Sequence, residues 1–238
     1  MQKPNGLHHL AIATADVKAQ IEYFSTVLGM ELVALYWMHG VEGAWHAFLK
    51  LNDHASIAFV QMPQIGTIDA TLGVTHAGYP GGPCARGTMQ HLALNVDSET
   101  DLLALRDRIR SHGIVVLGPI DHGFCKSIYF AGPEGLALEL STSAEAIDGR
   151  AWIDPQVVGL AGISADELER YRKPAPTAGR GGTIPPPPHE PAKPEMGWPP
   201  EQYHHLLSLS DAELTRLMSQ PEPPVKLAAS RHKRPEAT

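Results

Sequence analysis

The chain has 238 residues, enough for one large domain or two small ones, and its 43% hydrophobic content excludes wholesale disorder. A formal charge of −7, with no basic run beyond the short RHKRP near the C-terminus, argues against nucleic acid as a partner. No apolar stretch approaches the roughly 20 residues of a membrane span. MQKPNGLHHL lacks the basic and apolar regions of a signal peptide, so a soluble cytoplasmic protein without a membrane partner is expected.

Thirteen histidines stand against two cysteines, Cys84 and Cys125, whose spacing suits neither a disulfide framework nor a thiolate metal site. The balance points to nitrogen ligands and acid–base chemistry.

In chain order, the first predicted strand is LAIAT, entered through the pair His8–His9. Neighbouring side chains of a strand face opposite ways, so the two histidines cannot both enter one pocket from a strand. A helix follows, with Ile21, Phe24 and Leu28 at helical spacing and Gly29 at its end. Three strand-like runs come next: ELVALYW, WHAFLKL and SIAFVQ. After a loop rich in Gly and Pro the pattern recurs. QHLALNV is a strand, Leu102, Leu105 and Ile109 mark a helix, Gly113 ends it, and IVVLGPI, KSIYFAG and LALELST are strands.

The unit is therefore βαβββ, present twice, at about 7–62 and 88–142. An α+β fold is expected, with two pseudo-symmetric modules forming a metal-holding cavity over residues 1–142. His9 aligns with His91, and His8 with Gln90. A pseudo-twofold axis would bring His9 and His91 face to face, leaving His8 pointing outward or supporting from behind.

Residues 143–238 read as a proline-rich extension, with ten prolines between Arg172 and Pro200. Such a segment runs extended over a surface or is partly disordered. Short helices flank it at SADELERY and SDAELTRLM, each with a Glu three residues after a Ser, the capping-box pattern. An arm of this kind suits subunit contact, and a homodimer or higher homo-oligomer is expected.

Two histidines on equivalent strands begin a metal site, and Glu139 offers a third ligand. It lies between Leu138 and Leu140 in an apolar strand, where an unpaired carboxylate would be costly. Two His and one carboxylate form the facial triad of non-haem Fe(II) enzymes. Singly, a strand His is more often a hydrogen-bonded core residue and a Glu more often faces solvent; their place in the repeat is what favours the site.

These segments, HHLAIATAD…YFSTVLGMELV with HLALNVD and GPEGLALEL, resemble the vicinal oxygen chelate superfamily of glyoxalase, bleomycin-resistance and extradiol dioxygenase proteins, over residues 7–142. The resemblance implies paired βαβββ modules around one divalent metal. IDHGFCKSIYFAGPEGLALE is similar to the signature of type I extradiol ring-cleaving dioxygenases, with His122, Ile128, Tyr129, Pro133, Gly135 and Glu139 at matching intervals. Gly132 departs from it, standing where Asp, Glu, Asn, Thr or Ala is usual. The resemblance also implies an acid–base histidine some fifteen residues before the second histidine ligand, the place of His76.

The expected function is thus an Fe(II)-dependent ring-cleaving dioxygenase, with Mn(II) as an alternative metal, acting on a small aromatic diol with dioxygen. His9, His91 and Glu139 are the metal ligands, His76 the acid–base group, and Tyr129 and His122 the contacts to substrate oxygens. The bland readings are a half-buried strand aromatic for Tyr129 and a turn residue for His122.

The rival is a glyoxalase-like isomerase or epimerase, which needs a Glu or Gln ligand from the last strand of the first module. Ile57 to Phe59 cannot supply one, but a slipped alignment could recruit Gln61. Fosfomycin-type transferases share the two-His, one-Glu set, but their basic phosphonate pocket has no evident counterpart. A non-catalytic ligand-binding member of the fold would be expected to lack His76 or the triad. The stretch Tyr36 to Phe48 either lines the cavity or forms core and hairpin turn.

Overall fold

A computed structural model describes residues 3–226 apart from 177, 189 and 191. The first module runs β1 (His9–Ala13), α1 (Val17–Thr26), β2 (Glu31–Trp37), β3 (Trp45–Asn52) and β4 (Ala55–Gln61). The second runs β5 (Leu92–Asn95), α2 (Glu99–Ser111), β6 (Val116–Asp121), β7 (Lys126–Ala131) and β8 (Ala137–Thr142). Each module forms a mixed four-stranded sheet, in the orders β1-β4-β3-β2 and β5-β8-β7-β6, with only β1–β4 and β5–β8 parallel. The helix between the first two strands of each module allows that parallel crossover.

One face of each sheet is closed by its helix. In α1 the apolar stripe buries Phe24, whose ring meets Phe59 of β4 edge-on at 4.9 Å, above Ala47, Leu49 and Ile57. In α2 Leu102 and Ile109 are fully buried, in one core with Ile128, Phe130, Leu138 and Leu140. Burying each such side chain contributes about 1.5–3 kcal/mol. Asp16 caps α1 by accepting from the Ala19 amide, and Ser98 caps α2 through the Asp101 amide. Gly29 ends the first helix at φ +76°, and a Cβ there would lie 3.3 Å from the Arg108 guanidinium.

That guanidinium joins the modules by donating to the carbonyls of Thr26 and Val27 at the C-terminus of α1. The Tyr23 hydroxyl of α1 donates to the Ala131 carbonyl at 2.6 Å. Glu134, in the β7–β8 turn, accepts from the Thr14 hydroxyl, the Ala15 amide and Gln20 Nε2. The modules therefore dock side by side, through α1 and the end of β1.

Beyond β8 come α3 (Gly149–Trp152), α4 (Pro155–Leu160), α5 (Ala165–Arg172), α6 (Pro200–Ser208) and α7 (Asp211–Met218). Trp152 packs edge-on against Phe124 at 5.0 Å, fastening the start of this segment to the β6–β7 turn. Capping boxes form at Ser164–Glu167 and Ser210–Glu213, and α4 to α7 bury no residue. Among the described residues no helix is long and apolar enough to cross a membrane.

Candidate functional site

The sheet faces turned away from the helices carry the polar chemistry. Across β7 and β8, Tyr129 pairs with Glu139 and Ser127 with Ser141, so all four side chains share the open face of the second sheet. Glu139 is only 6% exposed. Its Oε2 lies 2.9 Å from His91 Nε2, and its Oε1 accepts from the Ser141 hydroxyl, which also contacts Ser127 at 2.9 Å. Burial pushes the Glu139 carboxyl upward in pKa, but hydrogen bonds from Ser127 and Ser141 and the nearby His91 outweigh it and hold the group below its ordinary value. His122 Nε2 lies 2.8 Å from the Tyr129 hydroxyl, whose pKa is raised chiefly by burial. His91, Glu139, Tyr129 and His122 thus form one cluster.

His9 lies on the open face of the first sheet. Its ring packs edge-on against Phe48 at 5.5 Å, and Phe48 in turn meets His46 and Tyr36. Tyr36, His46 and Phe48 therefore face the same side as His9, while Ala47 between them is buried against the helix. His46 Nε2 is buried without a partner, and the ring's pKa is lowered by burial and by His39 and His9. Sequence alone gave no reason to single out His46 within that stretch.

His76 lies where the two halves meet, in a cavity lined by the end of β1 and by Glu134, Gly135 and Leu136. Together with Ala11 and Ala13, which share the His9 side of β1, it lines this cavity of about 720 Å³, and its Nε2 meets the Glu134 carbonyl at 3.1 Å. Among the described residues, no three His, Cys, Asp or Glu side chains converge on one metal position. The repeat does relate His9 to His91 in sequence, but side-by-side docking does not bring them face to face within one chain.

Two residues that strand alternation sent elsewhere are drawn in. His8 and Gln90 both precede their strands, so alternation does not govern them. His8 Nδ1 lies 2.9 Å from His9 Nδ1, and Gln90 Oε1 contacts His91 Nδ1 in the equivalent way. Gln90 is itself fixed by its Nε2 donating to the carbonyls of Tyr79 and Gly82. A partner on Nδ1 sets the tautomer and leaves Nε2 to act as a ligand. Their matching places in the repeat were the available signal.

Gln61 faces the other way. Its Oε1 accepts from the Val17 amide at the start of α1, on the helix side of the sheet. Pairing sets Ala93 opposite Glu139 and Ala11 opposite Ala58, so the first-module counterpart of Glu139 is Ala58, which has no ligand atom. At Gly132 the backbone is extended, and a Cβ there would lie 2.8 Å from the end of the Leu138 side chain, which would have to shift.

The family model described as Glyoxalase/Bleomycin resistance protein/Dioxygenase superfamily matches residues 6–140. A biphenyl-2,3-diol 1,2-dioxygenase 2 from Rhodococcus globerulus is 30% identical over 133 residues, which are 56% of this chain and 60% of that protein, less than two thirds of its length. Among solved structures, a glyoxylase/bleomycin resistance protein/dioxygenase domain from Frankia sp. EAN1pec is 18% identical, covering 59% of this chain and 99% of that one, with a TM-score of 0.46. A glyoxalase family protein from Enterococcus faecalis is 24% identical, covering 58% and 97%, with a TM-score of 0.43.

Proposed function

The chain belongs to the glyoxalase/bleomycin resistance protein/dioxygenase superfamily, and we propose that within it the protein is an Fe(II)-dependent extradiol-type dioxygenase that opens a catechol-like ring with dioxygen. The observation that carries this reading is the cluster on the second sheet: a buried, anionic Glu139 against His91, with the Tyr129–His122 pair beside it. The likeness to a biphenyl-2,3-diol dioxygenase supports it. Ala58 and the inward-turned Gln61 speak against an isomerase, which needs a further ligand from β4.

Of the proposed donors His91 and Glu139 are adjacent while His9 lies on the other sheet, so what fits the metal is the type of donor. His9, His91 and Glu139 would supply two imidazoles and one carboxylate, a set suited to Fe(II) and acceptable to Mn(II). When bound, the ion supplies the redox chemistry that lets a catecholate react with dioxygen. The protein's own groups do the rest. Tyr129 hydrogen-bonds a substrate oxygen, and His122, paired with its hydroxyl, accepts the proton released when the diol ionises. His76 lines a largely apolar cavity large enough for an aromatic ring, where it would stabilise developing negative charge and return a proton.

The test is to reconstitute the protein with Fe(II) under argon, then add air with catechol or biphenyl-2,3-diol. Oxygen uptake matched to diol loss, with a coloured ring-opened product, is expected. Protein that takes up Fe(II) but consumes no oxygen with any diol overturns the reading.

A further inference from the structure

His76 ends a turn that closes on itself in the connection between the modules. The Thr71 carbonyl accepts from the amides of Val74 and Thr75, and the Gly73 amide donates to the His76 carbonyl at 2.8 Å. The Thr75 hydroxyl accepts from the Thr71 amide. This turn meets the β7–β8 turn at Gly135, whose φ is +74°. A Cβ there would stand 2.6 Å from Leu72 Cδ2 and 3.1 Å from His76 Nε2.

Both ring nitrogens of His76 are engaged at this joint. Nε2 lies 3.1 Å from the Glu134 carbonyl, and Nδ1 lies 2.9 Å from the Thr75 hydroxyl. A carbonyl only accepts, so Nε2 carries hydrogen. A hydroxyl does either. It donates to Nδ1 of the neutral ring, or it accepts from Nδ1–H of the charged ring and gives its own hydrogen to the Thr71 carbonyl, 3.1 Å away. Both protonation states are satisfied with no side chain moving, and in both Nε2 is a donor.

Glu134 is itself fixed from the first module. Its carboxylate accepts from the Thr14 hydroxyl, the Ala15 amide and Gln20 Nε2, which anchors the residue whose carbonyl meets His76. We infer that Thr75 and Glu134 are positioning residues, a clamp that holds His76 with hydrogen on Nε2 and presents it to negative charge developing in the cavity. The neutral carbonyl is the weaker partner, so an anionic ligand oxygen, which forms a charge-assisted bond, draws the N–H away from it. The carboxylate that docks the modules thereby also sets the chemistry of the cavity. This role rests on His76 belonging to the proposed site and not on ring cleavage itself.

The experiment uses the full chain labelled with 15N-histidine, in mildly alkaline buffer where imidazoles are neutral. The His76 signals are identified by their loss in His76→Asn. Proton–nitrogen correlation spectra then report which ring nitrogen carries hydrogen and whether that hydrogen is protected from exchange, with neither metal nor diol present. Wild type should show a protected Nε2–H and a hydrogen-bonded Nδ1. Glu134→Ala should lose the protection and Glu134→Gln, which keeps an acceptor oxygen, should restore it. Thr75→Val should shift Nδ1 to the position of an unbonded nitrogen, and Thr75→Ser should restore it. Should Glu134→Ala fail to fold, Thr75→Val, away from the docking contacts, decides. Hydrogen on Nδ1 in wild type overturns the clamp, and so do spectra unchanged in the folded variants. Oxygen uptake is measured separately. In Thr75→Val kcat should fall about tenfold with KM little changed, the worth of one hydrogen bond. Uptake left unchanged in a Thr75→Val that has lost the spectral signature also overturns the positioning role. The expected spectra without uptake in wild type keep the clamp and remove the dioxygenase.

Discussion

At the scale of single residues, the proposed ligands are held by neighbours whose loss should be as costly as their own. Gln90 accepts from His91 Nδ1 and is anchored by two carbonyls, so Gln90→Leu should leave the fold intact and weaken Mn(II) binding about 10–100-fold, read by equilibrium titration. Glu134 is a different kind of support. It is the one described residue other than glycine with positive φ, at +55°, and its carboxylate takes three hydrogen bonds from the first module. Glu134→Ala keeps the backbone strain and removes only those bonds, orphaning the buried Thr14 hydroxyl and Gln20 amide. A loss of about 2–4 kcal/mol in urea unfolding is expected. That Glu139 and His91 stand out was legible in the sequence, because a carboxylate between leucines and a repeated histidine are anomalies of pattern, and the fold sets them 2.9 Å apart. For His8 the sequence left two readings open, outward or supporting from behind, and gave none for Gln90, because alternation gives no guidance one residue outside a strand.

At the scale of elements, α1 is the hinge pin between modules. It buries Phe24 against its own sheet and sends Tyr23 across to the Ala131 carbonyl. Burial raises the Tyr23 pKa from 10.0 to about 12. Between those values the unfolded chain has released the phenolic proton while the folded one keeps it, so the unfolded state binds fewer protons. Stability from this group is therefore complete below pH 10 and is lost as the pH rises towards 12. Tyr23→Phe should cost about 1 kcal/mol at neutral pH, from the lost hydrogen bond. It should also flatten the alkaline fall in melting temperature relative to wild type. The elements themselves were legible. Helical spacing located α1 and α2, alternation located the strands, and Ser-x-x-Glu located the starts of α5 and α7. Helices α3, α4 and α6 were not read, since they are short and lack a buried stripe that periodicity could report.

At the scale of the molecule, the face of each sheet turned away from its helix carries the proposed chemical residues. Ala11 is exposed in the single chain, in the row of Ala58 and Phe48. Ala11→Arg should therefore leave the circular dichroism spectrum unchanged but weaken binding of a catechol-like ligand in equilibrium titration, because Ala11 lines the cavity that also contains His76 and a long cation would fill it.

The sequence by itself determined the repeat, the two sheets and the helix-covered face of each, and it singled out the residues proposed for the chemistry. All of these follow from local periodicity and from the cost of burying a polar group among apolar neighbours. Only the tertiary structure decided how the modules meet. That is set by Arg108 on the end of α1 and by Glu134 taking three hydrogen bonds from the first module, contacts between residues some 80 to 120 positions apart. No period in the sequence reports such contacts. They dock the modules side by side, and so His9 and His91, equivalent in the repeat, lie on separate open faces.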